Sequence, residues 1–172
     1  MKTVAILGAN GFVGYACSEH FSKNGYEVIS LIRDNSSQIR NLDNFDHLVI
    51  KYKSLDDKGL IQEVASHNPD LLINAAWNGV SGKYRNELFQ LEDNLNLTQK
   101  SINFCNDIGS KKWLGFGSQA EYGNKNRTVK EEDILTPTTK YGESKVKCLN
   151  ESIEMCNKLG IEHIWLRLFD FY

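Results

Sequence analysis

The chain has 172 residues, of which 41% are hydrophobic and 24% are charged, and its formal net charge is -2 at pH 7. This length suits one well-packed domain and is too short for two large ones. A charge so close to zero offers no electrostatic footprint for nucleic acid or an anionic membrane, so we expect the partner to be a small molecule or another protein chain.

The cysteines and the N-terminus indicate a cytoplasmic protein. The four cysteines are far apart and form no Cys-x-x-Cys pair, so we expect reduced thiols, with neither a disulfide framework nor a zinc site. The four histidines show no ligand spacing, and no metal is predicted. Asn10 and three glycines interrupt the apolar N-terminal stretch, and no run approaches the roughly 18 apolar residues of a membrane span, so no targeting or membrane segment is expected.

A glycine-rich turn is the first feature in chain order. The apolar run Thr3–Leu7 predicts a strand, and Gly8, Gly11 and Gly14 follow it at the start of a helical pattern. A helix N-terminus offers unpaired N–H groups and the positive end of a dipole, so this order predicts a phosphate site. We expect Gly8 to make the tight turn, Gly11 to admit a pyrophosphate and Gly14 to let the helix contact the strand. Taken alone, three glycines are also typical of an ordinary turn.

Short apolar runs alternate with longer amphipathic ones along the rest of the chain. The first helix is predicted to end near Asn24, and the further predicted strands are 27–32, Leu48–Tyr52, 71–73, 113–116 and 163–166. The further predicted helices are a short one within 36–44, one around 60–65, and two long ones over 84–107 and 141–159. This alternation is typical of βαβ units, and right-handed crossovers predict an α/β fold with a doubly wound parallel sheet, Rossmann-like, in the strand order 3-2-1-4-5-6.

A second group of polar residues follows the late strands. Ser118 comes directly after the fifth strand, and Tyr141 and Lys145 lie one turn apart on the last long helix. The pKa of tyrosine is ordinarily about 10, and we expect the Lys145 ammonium and the positive end of the helix dipole to lower it. Ser118 can hydrogen-bond a substrate oxygen while Tyr141 moves the proton of the same hydroxyl. By itself, Tyr-x-x-x-Lys is also typical of an exposed helix face.

Together these motifs resemble the extended short-chain dehydrogenase/reductase family, the nucleotide-sugar epimerases and dehydratases. The glycine loop is similar to the family's cofactor loop, and residues 69–76 are similar to its fourth strand. The other matching segments are Asn94 to Thr98 (Asn-x-x-x-Thr), Ser118 to Gly123 (Ser-x-x-x-Tyr-Gly), Pro137 to Lys145 (the catalytic segment) and Arg167 to Tyr172 (the stretch that leads into the substrate domain). The resemblance covers the whole chain.

This resemblance implies two sets of site residues. The implied catalytic residues are Ser118, Tyr141 and Lys145. The predicted cofactor-binding residues are Gly8, Asn10, Gly11, Phe12, Val13, Gly14, Arg33, Leu55, Ala75, Ala76, Asn94, Tyr141 and Lys145.

Departures from the family pattern narrow the expected reaction. The dehydratases carry an Asp-Glu pair directly after the catalytic hydroxyl, but this chain has Gln119 and Ala120 there, and Glu121 comes one place too late. The resemblance therefore implies nicotinamide-dependent hydride transfer at a sugar carbon, C4, of a nucleotide-diphosphate sugar, as a 4-epimerase or a 4-ketoreductase. A non-catalytic NAD(P)-binding module, or a truncated remnant of such an enzyme, is the alternative.

Two further contacts differ from many relatives. Ser54 and Leu55 stand where many relatives have an aspartate followed by an aliphatic residue near the adenine, and Asp170 replaces a common asparagine. At these positions the family pattern therefore does not predict which residue contacts the adenine or makes one of the substrate contacts.

The end of the second strand bears on the choice of cofactor. NAD-specific relatives place an acid there that bonds the ribose hydroxyls, whereas this chain has Ile32, followed by Arg33 and Asp34. Because arginine suits a 2′-phosphate, we predict NADP, with NAD as the alternative if Asp34 turns inward.

Relatives commonly pair their two long helices across a two-fold axis. The apolar residues on these helices exceed what one sheet-facing stripe needs and predict a homodimer: Leu88, Leu91, Leu95, Val146, Leu149 and Ile153. The alternative is that all of them pack on their own sheet.

Relatives also continue beyond the position of Tyr172 into a smaller lobe that closes over the nucleotide sugar. We therefore expect residues 1–172 to be a dinucleotide-binding domain that is truncated before the substrate lobe. Such a domain should bind a nicotinamide dinucleotide but show little turnover by itself.

Overall fold

The structure, a computed structural model, describes residues 2–34, 36, 42 and 44–169. Its strands are β1 (Thr3–Leu7), β2 (Glu27–Arg33), β3 (Leu48–Tyr52), β4 (Leu71–Asn74), β5 (Lys112–Ser118) and β6 (Glu162–Leu168). Its helices are α1 (Phe12–Lys23), α2 (Lys58–Ser66), α3 (Phe89–Asp107) and α4 (Lys140–Leu159). The short helix predicted within 36–44 falls largely outside the described residues, and so do Asp170 and Tyr172.

The six strands form one parallel sheet in the order β3-β2-β1-β4-β5-β6, which confirms the predicted topology. The order of the strands along the chain reverses direction between β1 and β4. At the carboxyl end of β1, Leu7 is in register with Leu31 on one side and with Asn74 on the other. In a doubly wound sheet, the connections on the two sides of this point run away from each other and leave a crevice.

Helices cover both faces of the sheet, because alternate residues of each strand point to opposite sides. On one face α2, α3 and α4 bury a core that includes Leu7, Leu31, Leu72 and Trp113. On the other face α1 packs over Val4, Ile6, Val28, Ile73 and their neighbours. Among the described residues, no helix is both long and apolar enough to span a membrane.

The predicted start of the first long helix at residue 84 is wrong, because α3 begins at Phe89. Residues Gly82–Tyr84 form a short 3₁₀ turn, and the backbone carbonyl of Arg85 accepts a hydrogen bond from the N–H of Tyr141 at 2.8 Å. That carbonyl is therefore committed to the N-terminus of α4. Leu88, predicted as an apolar position of the helix, precedes α3 and is 72% exposed.

Candidate active site

The glycine loop closes the carboxyl end of β1 against the start of α1. Gly8 has a φ of +73°, and a Cβ there would lie 2.9 Å from the backbone of Ala76. A Cβ on Gly14 would overlap the carbonyl oxygen of Gly8. Gly11 differs, because among the described residues only the Gly8 carbonyl oxygen, at 3.2 Å, lies within 4 Å of a Cβ placed there. The first and third glycines therefore serve the turn and the helix contact, while the second leaves space beside the backbone.

The N-terminus of α1 opens onto this space. Gly11 is the N-cap residue, and among the described residues no side chain caps the helix. The N–H groups of a helix's first turn point out of its N-terminus, and here that turn includes Phe12 and Val13, so an anion would be favoured there. Phe12 is 54% exposed, and the side-chain amide of Asn10 donates a hydrogen bond to the Ser36 hydroxyl. This arrangement fits the pyrophosphate of a dinucleotide.

The carboxyl ends of β2 and β3 flank the crevice. Ile32 is 5% exposed and has no group that could bind a ribose hydroxyl, whereas Arg33 is exposed and its Nη2 lies 3.4 Å from the Asn78 Oδ1. Asp34 is also exposed, and its backbone N–H donates to the Tyr52 carbonyl at 2.9 Å.

Leu55 follows the end of β3 and is 5% exposed, within the core that α2 covers. The structure therefore places it at the predicted edge of the sheet but mostly beneath the surface.

Beyond β4, the chain runs along the other side of the crevice. Ala75 and Ala76 are half-buried, and the Ala75 N–H donates to the Leu7 carbonyl at 3.0 Å. Asn94, on α3, is fully buried, and its side chain bonds both the N–H and the C=O of Asn78, at 2.8 and 3.1 Å. Asn94 thus lies behind the loop after β4 and fixes it, rather than lining the crevice.

The structure brings the three predicted catalytic residues together. Ser118 ends β5 and Tyr141 lies in the first turn of α4, where the Ser118 side chain is close enough to lower the pKa of Tyr141. The side chain of Thr139 caps α4 by accepting from the Gly142 N–H at 3.1 Å. This cap fixes where α4 begins, and so places Tyr141 beside the end of β5.

Lys145 lies one turn further along α4 and is 5% exposed. Its Nζ donates to the Phe116 carbonyl at 2.7 Å and sits 3.4 Å from the centroid of the Trp77 ring. Burial lowers the pKa of Lys145 to about 7, because the charged form loses its hydration. Near neutral pH the ammonium is therefore only partly populated.

The expectation that the pKa of Tyr141 is lowered is wrong in this structure. Burial raises this pKa, and the hydrogen bond from Ser118 and the guanidinium of Arg85 oppose the increase without reversing it. Lys145 is not among the groups that lower it, although its Nζ is 5.7 Å from the centroid of the Tyr141 ring, because burial disfavours its own charge. The cation that favours the phenolate is Arg85, at 5.6 Å from the ring centroid.

Sequence reasoning missed Arg85, Trp77 and Gln90. Gln90 is fully buried and donates to the Gly79 carbonyl at 2.7 Å, while its Oε1 accepts from the Trp77 Nε1–H at 3.1 Å. The Trp77 ring in turn packs edge-on against Tyr141. A single sequence carries no signal for these contacts, because they join the loop after β4 to two helices that are distant in the chain.

A cleft of about 330 Å³ is lined by Gln119 and Ala120, which follow Ser118, and by Thr138 and Thr139, which precede α4. Its charged lining residues are Arg85 and Lys125, and the others are neutral. Among the described residues, no cluster of three or more histidine, cysteine or acidic side chains could hold a metal ion.

The fold and the site together define a class of protein. A parallel sheet whose central strand ends in a glycine turn at an uncapped helix, next to a Ser–Tyr–Lys group, is a dinucleotide-binding domain of the Rossmann type. Residues 4–172 match the family model described as "NAD dependent epimerase/dehydratase family", and the chain belongs to this family. The predicted resemblance to the extended short-chain dehydrogenases/reductases is thereby confirmed.

Several solved structures share the fold. The chain is 21% identical to a UDP-glucose 4-epimerase from Brucella ovis in complex with NAD, with a TM-score of 0.82 over 99% of this chain and 52% of that one. It is 20% identical to a UDP-glucose 4-epimerase from Thermotoga maritima with UDP-glucose, with a TM-score of 0.78 over 96% and 54%. It is also 20% identical to the UDP-Glc/GlcNAc 4-epimerase from Campylobacter jejuni, with a TM-score of 0.81 over 97% and 53%.

The chain thus spans about half the length of these solved structures. No curated protein sequence is significantly similar to it.

Proposed function

We propose that this chain provides the cofactor-binding and catalytic residues for hydride transfer at C4 of a nucleotide-diphosphate sugar, as a 4-epimerase or a 4-ketoreductase. The observation that carries the proposal is that Ser118 at the end of β5 and Tyr141 at the start of α4 lie together, with the buried Lys145 one turn away, at the sheet edge that also holds the glycine loop. Three relatives of the same fold are described as 4-epimerases of UDP-sugars, which agrees with this reaction.

In the proposed reaction, the chain's own residues orient a sugar hydroxyl and move its proton. Ser118 holds the hydroxyl by a hydrogen bond, and Tyr141 accepts its proton when the hydroxyl is oxidised and returns the proton when the ketone is reduced. A bound nicotinamide ring supplies the complementary chemistry, since it takes up or gives back a hydride. Arg85 and Lys125 make the neighbouring cleft suitable for an anionic substrate such as a nucleotide diphosphate.

The residues fit a nicotinamide dinucleotide, and we propose that NADP is the preferred form. The pyrophosphate would lie at Gly11 and the N-terminus of α1, and Arg33 would meet the 2′-phosphate. The buried Ile32 leaves no acid at the usual ribose position, although Asp34 keeps NAD as the alternative. The four cysteines are free thiols, which favours a reducing compartment such as the cytoplasm.

A second candidate function, a dinucleotide-binding module without turnover, is favoured by one observation. Burial raises the pKa of Tyr141. The Lys145 amine bonds the Phe116 carbonyl and lies over the Trp77 ring. In that arrangement the tyrosine is a poor base. The two functions share a cofactor and differ in whether a proton leaves the sugar.

The test is Tyr141→Phe in a form of the protein that carries a sugar-binding lobe, assayed against a panel of nucleotide sugars with both cofactors. We expect turnover to fall by roughly 10² or more with cofactor affinity nearly unchanged, because general acid and base groups commonly contribute 10² to 10⁴. Tyr26→Phe is the matched control, since Tyr26 packs on Phe21 away from the site. A Tyr141→Phe enzyme that keeps most of its activity would remove the tyrosine from the mechanism, and absence of turnover in the unmodified protein would favour the binding module.

A further inference from the structure

Glu121 is a fully buried carboxylate three residues after Ser118. It lies at the end of the short 3₁₀ turn Gln119–Glu121 that follows β5. Acidic side chains are almost never fully buried unless they are paired, because the charge loses its hydration. Its burial beside the candidate catalytic serine therefore needs an explanation.

The contacts of Glu121 connect the end of β5 to β6. One carboxylate oxygen, Oε1, accepts from the backbone N–H of Ser118 at 2.8 Å and from the Trp165 Nε1–H at 3.2 Å. The other, Oε2, accepts from the Arg167 Nε–H at 2.6 Å. The carboxylate is thus satisfied by one backbone donor from the catalytic residue and two side-chain donors from β6.

The surrounding backbone is shaped to admit this carboxylate. A Cβ on Gly117 would overlap both the Glu121 Oε1 and the Trp165 Nε1. A Cβ on Gly142, at the start of α4, would overlap the Ala120 carbonyl oxygen, so α4 packs directly on the 3₁₀ turn. Ser118 is therefore held between β6 and the helix that carries Tyr141.

The bond to the Ser118 backbone controls where the serine hydroxyl points. Ser118 and Glu121 form a reciprocal capping box, in which the Ser118 Oγ accepts from the turn while the Glu121 carboxylate accepts from the Ser118 N–H. With its N–H anchored, the Ser118 side chain lies near Tyr141, where it lowers the pKa of the phenol.

We propose that Glu121 is a positioning residue, whose carboxylate, held by Arg167, fixes the Ser118 backbone so that the serine hydroxyl faces Tyr141. The assignment rests on the proposed function for its catalytic meaning. The hydrogen bonds that join Glu121 to Ser118 and Arg167 are present without any substrate.

A purely structural role, in which the ion pair only fastens β6 to the sheet, gives different expectations. The charged groups that act on Tyr141 are Arg85, which lowers its pKa, and Glu121, which raises it. Glu121 also opposes the effect of burial on Lys145. If Glu121 only fastens β6, loss of its negative charge should lower the pKa of Tyr141. If Glu121 positions Ser118, its loss also displaces the serine hydroxyl, whose pKa-lowering effect on Tyr141 is the larger of the two, and the pKa should rise.

The test compares Glu121→Gln with Asp133→Asn. Asp133 is matched because it also pairs with an arginine, Arg127, at 2.7 Å, but it lies on the surface loop and does not touch Ser118. We expect Glu121→Gln to speed amide hydrogen exchange at Ser118 by tenfold or more and to raise the pKa of Tyr141 in a titration followed by ¹³Cζ-tyrosine NMR, because the displaced serine no longer favours the phenolate. Asp133→Asn should change neither.

A second variant keeps the test decisive if Glu121→Gln fails to fold. The double variant Glu121→Gln with Arg167→Met leaves no unpaired charge in the interior, and buried ion pairs are often replaced together without loss of the fold. Here too the pKa of Tyr141 should rise. The double variant Asp133→Asn with Arg127→Met is its control.

Where turnover is measurable, Glu121→Gln should reduce kcat by tenfold or more, with cofactor affinity unchanged. The positioning role is overturned if a folded Glu121 variant keeps wild-type exchange at Ser118, or if the pKa of Tyr141 does not rise. Absence of turnover in the unmodified protein would count against the proposed function alone, because the exchange and NMR measurements do not need a substrate.

Discussion

Lys145 carries an amine into a site that is almost closed to water. It is 5% exposed, and burial lowers its pKa to about 7. The lysine ordinarily titrates near 10.4 in an unfolded chain, so between about pH 7 and pH 10 the unfolded state binds more protons than the folded state. The free energy of unfolding should therefore rise with pH across this window.

We predict that Lys145→Met removes this rise. From pH 7 to 8.5, wild-type protein should gain stability relative to the variant by up to about 1.4 kcal/mol per pH unit, because the cost of burying the ammonium disappears as it deprotonates. Urea unfolding at several pH values measures the difference. The window stops at pH 8.5 because burial raises the pKa of Cys105 to about 12 and of Cys156 to about 11, and these thiols act in the opposite direction above pH 9.

Lys147 is the control for this series, since it is exposed on the same helix. Lys147→Met should leave the pH dependence of unfolding unchanged. Equal slopes for wild type and Lys145→Met would mean that the amine keeps its hydration in the folded protein.

Arg33 gives a second prediction for a single residue. Its exposed guanidinium lies near the Asn78 side chain at the mouth of the crevice, where a 2′-phosphate would make charge-assisted hydrogen bonds. Arg33→Ala should weaken NADP binding by tenfold or more and leave NAD binding within about twofold, as calorimetric titration would measure. Arg127→Ala, on the distant loop, serves as the control, and an unchanged NADP affinity in Arg33→Ala would make the NADP assignment wrong.

At the scale of single residues, the sequence predicted which residues form the candidate catalytic group but not the direction of the Tyr141 pKa shift. Ser118, Tyr141 and Lys145 could be placed together because spacing on one helix and position at a strand end are local properties. The raised pKa of Tyr141 and the roles of Arg85 and Glu121 could not be predicted, because burial and charge are set by loops that meet only in the folded chain.

Helices α3 and α4 lie side by side and are joined by a hydrogen bond from the Gln99 side chain to Glu151 at 2.8 Å. Part of their apolar surface is used within the chain, since Leu149 is 7% exposed, and Leu91, Leu95 and Val146 are half-buried. Leu88 does not belong to α3, which leaves Ile153, 40% exposed, as the clearest outward apolar residue of the predicted dimer surface.

We still propose a homodimer through α3 and α4, centred on Ile153. Light scattering at tens of micromolar should give twice the chain mass for the wild type and the chain mass for Ile153→Glu, because a charge buried at a two-fold axis meets its own copy. Ile134→Glu is the control, since Ile134 is 80% exposed on the surface loop. A wild-type monomer at these concentrations would mean that the apolar residues serve only their own sheet.

At the scale of elements, prediction succeeded where periodicity and capping agree. The α4 helix was placed almost to the residue, because Thr139 caps its start and Gly160, with a φ of +67°, ends it. The start of α3 was misplaced because residues 84–88 have helix-like composition, while a hydrogen bond from Tyr141 diverts the Arg85 carbonyl. That contact is tertiary and leaves no mark on the local pattern.

At the scale of the whole molecule, the proposed function puts the cofactor in the crevice between β1 and β4 and the nucleotide sugar in the cleft lined by Arg85 and Lys125. A ligand bound on one wall loses much of its burial and orientation. We predict that a polypeptide of these 172 residues binds a nicotinamide dinucleotide in roughly the micromolar range or more weakly. It should also show little or no turnover of nucleotide sugars on its own. Calorimetry with the dinucleotide, run beside a coupled assay, measures both properties, and robust turnover by this polypeptide alone would contradict the second.

Strand β1 comes before the other five strands along the chain and lies in the interior of the sheet. β1 gains β2 as a neighbour early, but its other edge is closed only by β4, and the Thr3 N–H bonds Asp70, 67 residues further along the chain. Until then, a nascent chain exposes the edge of a strand whose residues are all buried in the native protein, and such edges favour aggregation and contact with chaperones. Because the crevice lies between β1 and β4, a dinucleotide cannot stabilise the early half of the chain, and slow synthesis before β4 should lower the yield of folded protein.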